Sequence, residues 1–297
     1  MNLYFAYGSN LSRAVRVASG LEGMEFARRA WLPDHQLRFR RRTSRGSGAL
    51  DVMPAKGFVV PGALFRCSRV HRDLLDEKEG YQTGMVGNAY ARVEVAVLDP
   101  CGGTVQAFTY RVVDPDRFVR PDAGYLARVA SGYRELGVLG AEYLSSAAAN
   151  EPAPNHVAGC FVYGTLRCGG ELHQFVRQWV LQRHQARTRG TLVDLGWFPG
   201  FVAPRRGERR TVTGELLEAR DLLQLLEVTD DLEGFRGFDV GYSLGQYRRA
   251  LVRLRRPPDH PLAWIYVCTR AGGHPEIAHG DWMRWNRERR TRPTALP

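Results

Sequence analysis

The strongest constraint on this chain is an internal repeat. Five landmarks occur in the same order in both halves of the 297 residues, at offsets between 152 and 157 positions. Tyr4-Phe5-Ala6-Tyr7-Gly8-Ser9-Asn10-Leu11 is matched by Cys160-Phe161-Val162-Tyr163-Gly164-Thr165-Leu166. Gly62, in an apolar run, is matched by Gly214. Asp76-Glu77-Lys78-Glu79-Gly80-Tyr81 is matched by Asp230-Asp231-Leu232-Glu233-Gly234-Phe235. Tyr90-Ala91-Arg92 is matched by Tyr247-Arg248-Arg249, and Ala107-Phe108-Thr109-Tyr110 by Ala263-Trp264-Ile265-Tyr266. Landmarks repeating in register mean that the chain holds two copies of one folding unit, each of ordinary domain size.

Between the copies, Ser145 to Asn155 reads as a helix end running into an extended segment with two prolines. The division expected is a first domain over 1–148, a linker over 149–157 and a second domain over 158–297. Leu3 to Tyr7 and Gly159 to Tyr163 are short apolar strands ending in a glycine loop. Ala91 to Leu98 and Ala250 to Leu254 mix apolar and polar residues as half-buried strands do. His71 to Lys78 and Ala219 to Glu227 have helical spacing, and a longer helix is expected over Tyr125 to Ala149. The class is α+β, with each copy a small curled sheet or barrel that has helices at its mouth.

Composition narrows the function classes. No run approaches the ~18 apolar residues that span a bilayer. The chain opens directly into a strand-like stretch without a basic-then-apolar leader, so a cytoplasmic protein is expected. The five cysteines are scattered and form no CxxC pair, which points away from a disulfide framework or a zinc site. The net charge of +11 invites a nucleic-acid reading, but only two of the 42 basic residues, Lys56 and Lys78, are lysines. That bias reads as the codon usage of a GC-rich genome and a solvated arginine-rich face, so nucleic acid is not the expected partner.

The chemistry resides in two recurring pieces. A glycine after a strand, followed by Ser or Thr and in the first half Asn10, presents backbone N–H and side-chain donors suited to a carboxylate or an oxyanion. A structural turn would show the same residues. Glu79 and Glu233 follow the tyrosines of those loops, Tyr7 and Tyr163, by 72 and 70 residues. Each can be a solvated helix-end residue, or a buried carboxylate whose raised pKa makes it a general base. The repeat favours the second, because Asp, Glu, Gly and an aromatic persist while their neighbours change. Tyr90, Tyr110, Tyr247 and Tyr266 fall on expected strands and are assigned to core packing.

These motifs together resemble the γ-glutamylcyclotransferase family. In the first half the resemblance runs from Tyr4-Phe5-Ala6-Tyr7-Gly8-Ser9-Asn10-Leu11 through Leu75-Asp76-Glu77-Lys78-Glu79-Gly80 to Tyr125, Ser131-Gly132-Tyr133 and Tyr143. The second half, with Val162 to Leu166, Asp194-Leu195-Gly196, Asp231-Leu232-Glu233-Gly234 and Gly280-Asp281-Trp282, is similar to the family's AIG2-like branch. That branch includes γ-glutamylamine cyclotransferases and an enzyme that removes a γ-glutamyl protecting group in aminoglycoside biosynthesis.

The resemblance implies two tandem small β-barrels with flanking helices, a small-molecule γ-glutamyl substrate, and no metal or cofactor. It implies that Tyr7, Gly8, Ser9 and Asn10 hold the glutamyl head group and that Glu79 moves the proton. Tyr163, Gly164, Thr165, Leu166 and Glu233 would do the same in the second half. The products would be 5-oxoproline and a free amine or amino acid. Leu166 replaces Asn10, as in the AIG2-like branch, and Phe235 replaces Tyr81. Two alternatives accompany this expectation: one half serves only as a binding module, or the arginine-rich surface binds nucleic acid or an acidic partner.

Overall fold

The computed structural model describes residues 2–99, 101–155, 157–238, 245–256 and 262–291. In chain order the first half forms β1 (Asn2–Ala6), α1 (Arg13–Ala18), β2 (Glu25–Arg42), β3 (Gly48–Cys67), α2 (Arg69–Glu79), β4 (Tyr90–Leu98), β5 (Thr104–Val112), α3 (Ala123–Leu136) and α4 (Ala141–Ala149). The second half forms β6 (Val157–Val162), α5 (His173–Val176), β7 (Val180–Arg189), β8 (Thr191–Asp194), β9 (Pro199–Val202), β10 (Thr211–Ala219) and α6 (Leu222–Leu232). It continues with β11 (Tyr247–Val252), β12 (Leu254–Arg256), β13 (Leu262–Cys268) and α7 (Trp282–Thr291). Two compact units result: one of Met1–Leu98 with Thr104–Asn155, the other of Asp99–Gly103 with His156–Pro297. No helix among the described residues is long and apolar enough to cross a membrane.

The first unit is a closed barrel in the order β1-β3-β2-β4-β5. It closes on a parallel pairing of β1 with β5, at Tyr4 and Phe108. The second unit's main sheet has the order β11-β13-β6-β10-β7-β12, and its parallel pair, β6 with β13, sets Cys160 against Trp264. Those residues are the repeat counterparts of Tyr4 and Phe108. Only Arg253 separates β11 from β12, yet β11 pairs with β13 while β12 pairs with β7 at the far end of the sheet. One continuous stretch therefore joins both ends of the sheet, as β4 does in the first unit, where it pairs with β5 and reaches β2 through Leu98 and Trp31. The strand order is thus conserved between the copies, with α+β architecture in each.

The repeated Gly62 and Gly214 have a packing cause. A Cβ on Gly62 would lie 2.6 Å from the Phe5 ring, and one on Gly214 2.7 Å from the Phe161 ring. Only glycine lets the β1 and β6 phenylalanines, both essentially fully buried, lie flat against the neighbouring strand.

Two sequence expectations shift. The helix expected over Tyr125 to Ala149 is two helices, α3 and α4, because Gly137 (φ 59°) and Gly140 (φ 142°) take backbone angles that end one and start the next. The helix placed at Ala219 to Glu227 lies further on: Ala219 still belongs to β10, and Asp221 caps α6 by accepting from Gln224 N–H at 3.1 Å. The long β2–β3 hairpin of the first unit is interrupted in the second, where β8 and β9 pair as a separate two-stranded sheet.

Candidate active sites

Helices α2 and α6 end in the same way. Gly80 and Gly234 adopt left-handed angles, φ 64° and 68°. The chain then folds back, so that Tyr81 N–H donates to the Asp76 carbonyl and Phe235 N–H to the Asp230 carbonyl, both at 2.8 Å. A Cβ is strained in this cap, which is why glycine follows glutamate in each copy.

The rest of the Asp-x-x-Glu-Gly-aromatic run locks the turn to the sheet. Asp76 Oδ1 accepts from Tyr110 OH and Asp230 Oδ1 from Tyr266 OH, each at 2.7 Å. Arg92 pairs with Asp76, and Arg249 pairs with Asp230 at 3.4 Å. Each arginine also stacks on the aromatic that follows the glycine: Arg92 at 4.9 Å from the Tyr81 ring centroid, Arg249 at 5.1 Å from that of Phe235. The aromatic acts through its ring face, so Phe235 in place of Tyr81 keeps this contact.

The loop after the first strand is fixed by the tyrosine before its glycine. Tyr7 OH donates to the Tyr110 carbonyl and Tyr163 OH to the Tyr266 carbonyl, both at 2.7 Å. In the first unit Tyr7, Gly8, Ser9, Asn10 and Glu79 all line one pocket of about 40 Å³. In the second, Tyr163, Gly164, Thr165, Leu166 and Glu233 line one of about 450 Å³. All ten sequence-selected residues therefore converge on two cavities. The glycines do so for different reasons: a Cβ on Gly8 would make an ordinary 3.5 Å contact with Tyr125 OH, whereas one on Gly164 would strike Pro199 at 2.7 Å.

The strand tyrosines pack in the core as expected and do more. Tyr90 and Tyr110 line the first pocket and Tyr247 and Tyr266 the second, so they are walls of the sites as well as parts of the sheet. Their recurrence in the repeat was the available signal. Tyr125, on α3, adds another wall to the first pocket and accepts from Leu50 N–H at 3.2 Å.

Residues that brace the loops had no signal, because they are out of register. Arg16 Nη1 donates to the Asn10 carbonyl at 3.0 Å and the Leu11 carbonyl at 2.6 Å, with its guanidinium 4.6 Å from the Phe65 ring centroid. In the second unit Arg167, the repeat counterpart of Leu11, donates to Asp281 at 2.8 Å. Cys168 N–H meanwhile donates to Glu215 at 2.9 Å. The same loop is held by a cation on carbonyls in one copy and by a buried charge cluster in the other.

The two glutamates differ electrostatically. Asn10 Nδ2 donates to Glu79 Oε1 at 3.0 Å and to Tyr4 OH at 2.9 Å, and Lys78 Nζ donates to Asn10 Oδ1. Burial raises the Glu79 pKa, while Lys78 and the Asn10 hydrogen bond pull it back. Burial pushes the Glu233 carboxyl up to about 7, with no opposing cause. Leu166 and Leu232 stand where Asn10 and Lys78 stand in the first copy. Among the described residues no group of three or more His, Cys, Asp and Glu side chains is placed to hold a metal.

The gamma-glutamyl cyclotransferase, AIG2-like family matches residues 4–132 and again 160–284. A γ-L-glutamyl-butirosin B γ-glutamyl cyclotransferase of Niallia circulans is 30% identical over 126 residues, 42% of this chain and 75% of the relative. The γ-glutamylcyclotransferase of Homo sapiens is 29% identical over 155 residues, 50% of this chain and 79% of the relative. A solved structure titled gamma-glutamyl cyclotransferase is 28% identical, covers 51% of this chain and 88% of its own, and superposes with a TM-score of 0.43.

Proposed function

This chain belongs to the gamma-glutamyl cyclotransferase, AIG2-like family and is an enzyme of that type; from that premise we propose that each of its two sites converts a γ-glutamyl amide into 5-oxoproline and a free amine. The observation that carries the reading is the double convergence: in each copy a half-buried carboxyl with a raised pKa shares a pocket with the Tyr-Gly-[Ser/Thr] loop.

The substrate's glutamyl head lies against the loop, held by its N–H groups and by Ser9 or Thr165. Glu79 or Glu233 takes a proton from the neutral α-amine as that nitrogen bonds to the γ-carbonyl carbon. The C–N bond to the leaving amine then breaks, and the same carboxyl returns the proton to the departing nitrogen. In the first site Asn10 occupies Oε1 of Glu79, which leaves Oε2 for this transfer. Because nucleophile and electrophile belong to one molecule, holding the chain folded supplies roughly 7–11 kcal/mol of the barrier. A carboxyl titrating near 7, as Glu233 does, is matched to proton transfer near neutral pH.

The pockets point to different leaving groups. About 450 Å³ is ordinary for a small-molecule site, room for the glutamyl head and a bulky amine. About 40 Å³ is close to the space of one water molecule, a much tighter cavity than the second. That suits a compact amine.

The test is 5-oxoproline release from γ-glutamyl dipeptides and from bulky γ-glutamyl amines by the whole chain and by Glu79→Gln and Glu233→Gln. Loss of the compact substrate with the first variant and of the bulky one with the second is expected. Turnover unaffected by either substitution would sink the mechanism, and dependence on one glutamate alone would make the other half a binding module.

A further inference from the structure

Lys78 is a charged neighbour of the first site that the repeat does not preserve, Leu232 standing in its place. Its side chain leaves the last turn of α2, next to Glu79, and Nζ reaches the Asn10 side-chain oxygen. An ammonium group can only donate, so it accepts no orientation of the Asn10 amide except Oδ1 inward. Nδ2 is thereby turned the other way, and its two hydrogens go to Glu79 Oε1 and Tyr4 OH. Without Lys78 the amide could turn over and present its oxygen to the carboxylate, a repulsive contact in a buried place.

The other groups around Glu79 supply no positive charge of comparable effect. Tyr4 of β1, Tyr90 of β4, Tyr110 of β5 and Tyr125 of α3 are phenols whose ionisation burial suppresses. Asp51 of β3 and Asp76 of α2 are themselves acidic and bear on the tyrosines. Lys78 is the cation that acts on Glu79.

We propose that Lys78 is a positioning residue of the first site: through Nζ it fixes which end of the Asn10 amide meets Glu79, a device the second site lacks because Leu166 and Leu232 stand in those places. The cation beside Glu79 opposes the effect of burial on that carboxyl, so the acid limb of the first site lies at lower pH with Lys78 than without it.

This inference rests on the proton-transfer role proposed above for Glu79, and the experiment separates the two. In the full chain carrying Glu233→Gln, so that only the first site turns over, the pH dependence of kcat/KM for 5-oxoproline release is measured with Lys78, Lys78→Leu and Lys78→Gln. In parallel, the Glu79 carboxyl is titrated by carbon-13 NMR, assigned by its loss in Glu79→Gln. Lys78→Leu should move both the acid limb and the carboxyl titration upward by about one pH unit, a tenfold loss of rate in acid with the alkaline plateau kept. Lys78→Gln, whose amide N–H can still donate to Asn10, should shift both by less. Unmoved profiles would overturn the proposal, and so would a raised KM at all pH values, which would make Lys78 a substrate contact instead. Should no chain release 5-oxoproline, the functional reading falls, and the carboxyl titration still decides whether Lys78 governs Glu79.

Discussion

Glu79 and Glu233 stand at the same point of the same turn, yet their surroundings have diverged. Tyr7 and Tyr163 bond the next strand's tyrosine carbonyl at the same distance, and Asp76 and Asp230 hold the same tyrosine hydroxyls. The scaffold that aims the carboxyl is thus kept. What changed is the polar shell: Asn10 and Lys78 around Glu79, Leu166 and Leu232 around Glu233. Aiming a carboxyl and tuning it are separable tasks, and in the groups that contact these two carboxyls it is the second that has diverged.

The largest effects test whether both bases are used. Glu79→Gln and Glu233→Gln should each lower 5-oxoproline release at the affected site by about 10²–10⁴-fold, the usual worth of a positioned acid–base group. Steady-state rates with a compact and a bulky γ-glutamyl amide would separate the sites. Equal loss of both substrates with one variant would end the claim of two working sites.

Next comes the bracing of the turn. Arg249 and Asp230 are 1% and 10% exposed, against 22% and 17% for Arg92 and Asp76. Removing the partner of a buried guanidinium costs about 3–5 kcal/mol, so Asp230→Ala should destabilise the second unit by that much. Asp76→Ala should cost less, because water reaches Arg92. Urea unfolding followed by probes in each unit would show it; equal costs would mean that burial is not the deciding term.

A third prediction concerns stability and pH. The folded pKa of Glu233 is raised from 4.5 to about 7. Folding therefore favours the protonated form, and the stability this gives is full below 4.5 and lost as pH rises to about 7. Glu233→Gln removes the loss, so relative to the parent chain the variant should gain roughly 2–3 kcal/mol between pH 4 and pH 8. Melting temperatures across that range are the measurement, and parallel curves for parent and variant would contradict the assignment. The same substitution at Glu79 should give a smaller gain.

The smallest effect exchanges the shells. Asn10→Leu should raise the acid limb of the first site, and Leu166→Asn should lower that of the second, each by a few-fold in rate at the lower pH. Opposite signs are the point of the pair. Shifts in one direction for both would show that the loops, not the amide, set the carboxyls.

Much of this was legible in the sequence for a definite reason. The Asp-x-x-Glu-Gly-aromatic run recurs because each position has its own local duty: a carboxylate for the tyrosine and arginine, a carboxyl facing the pocket that we propose as the base, a left-handed cap and a ring to stack on. Local duties constrain residue type, so repetition reveals them, and all ten selected site residues do line the two pockets. Arg16 and Arg167 escaped, since bracing a loop can be done from any direction and the copies chose different ones. The pocket-lining role of the strand tyrosines is hidden because a strand's alternation tells which residues face inward and not whether a cavity lies there. The break between α3 and α4 is hidden for a related reason: Gly137 and Gly140 separate the helices only through the angles they adopt.

The sequence by itself determined the duplication, the α+β class and the residues that meet in each site, because these follow from type and spacing along the chain. The tertiary structure decided the depth of each pocket, the partners of each carboxyl and hence its proton affinity. Those depend on groups brought together from β1, α2, β4, β5 and α3, and desolvation is a property of the assembled surroundings that no single segment carries.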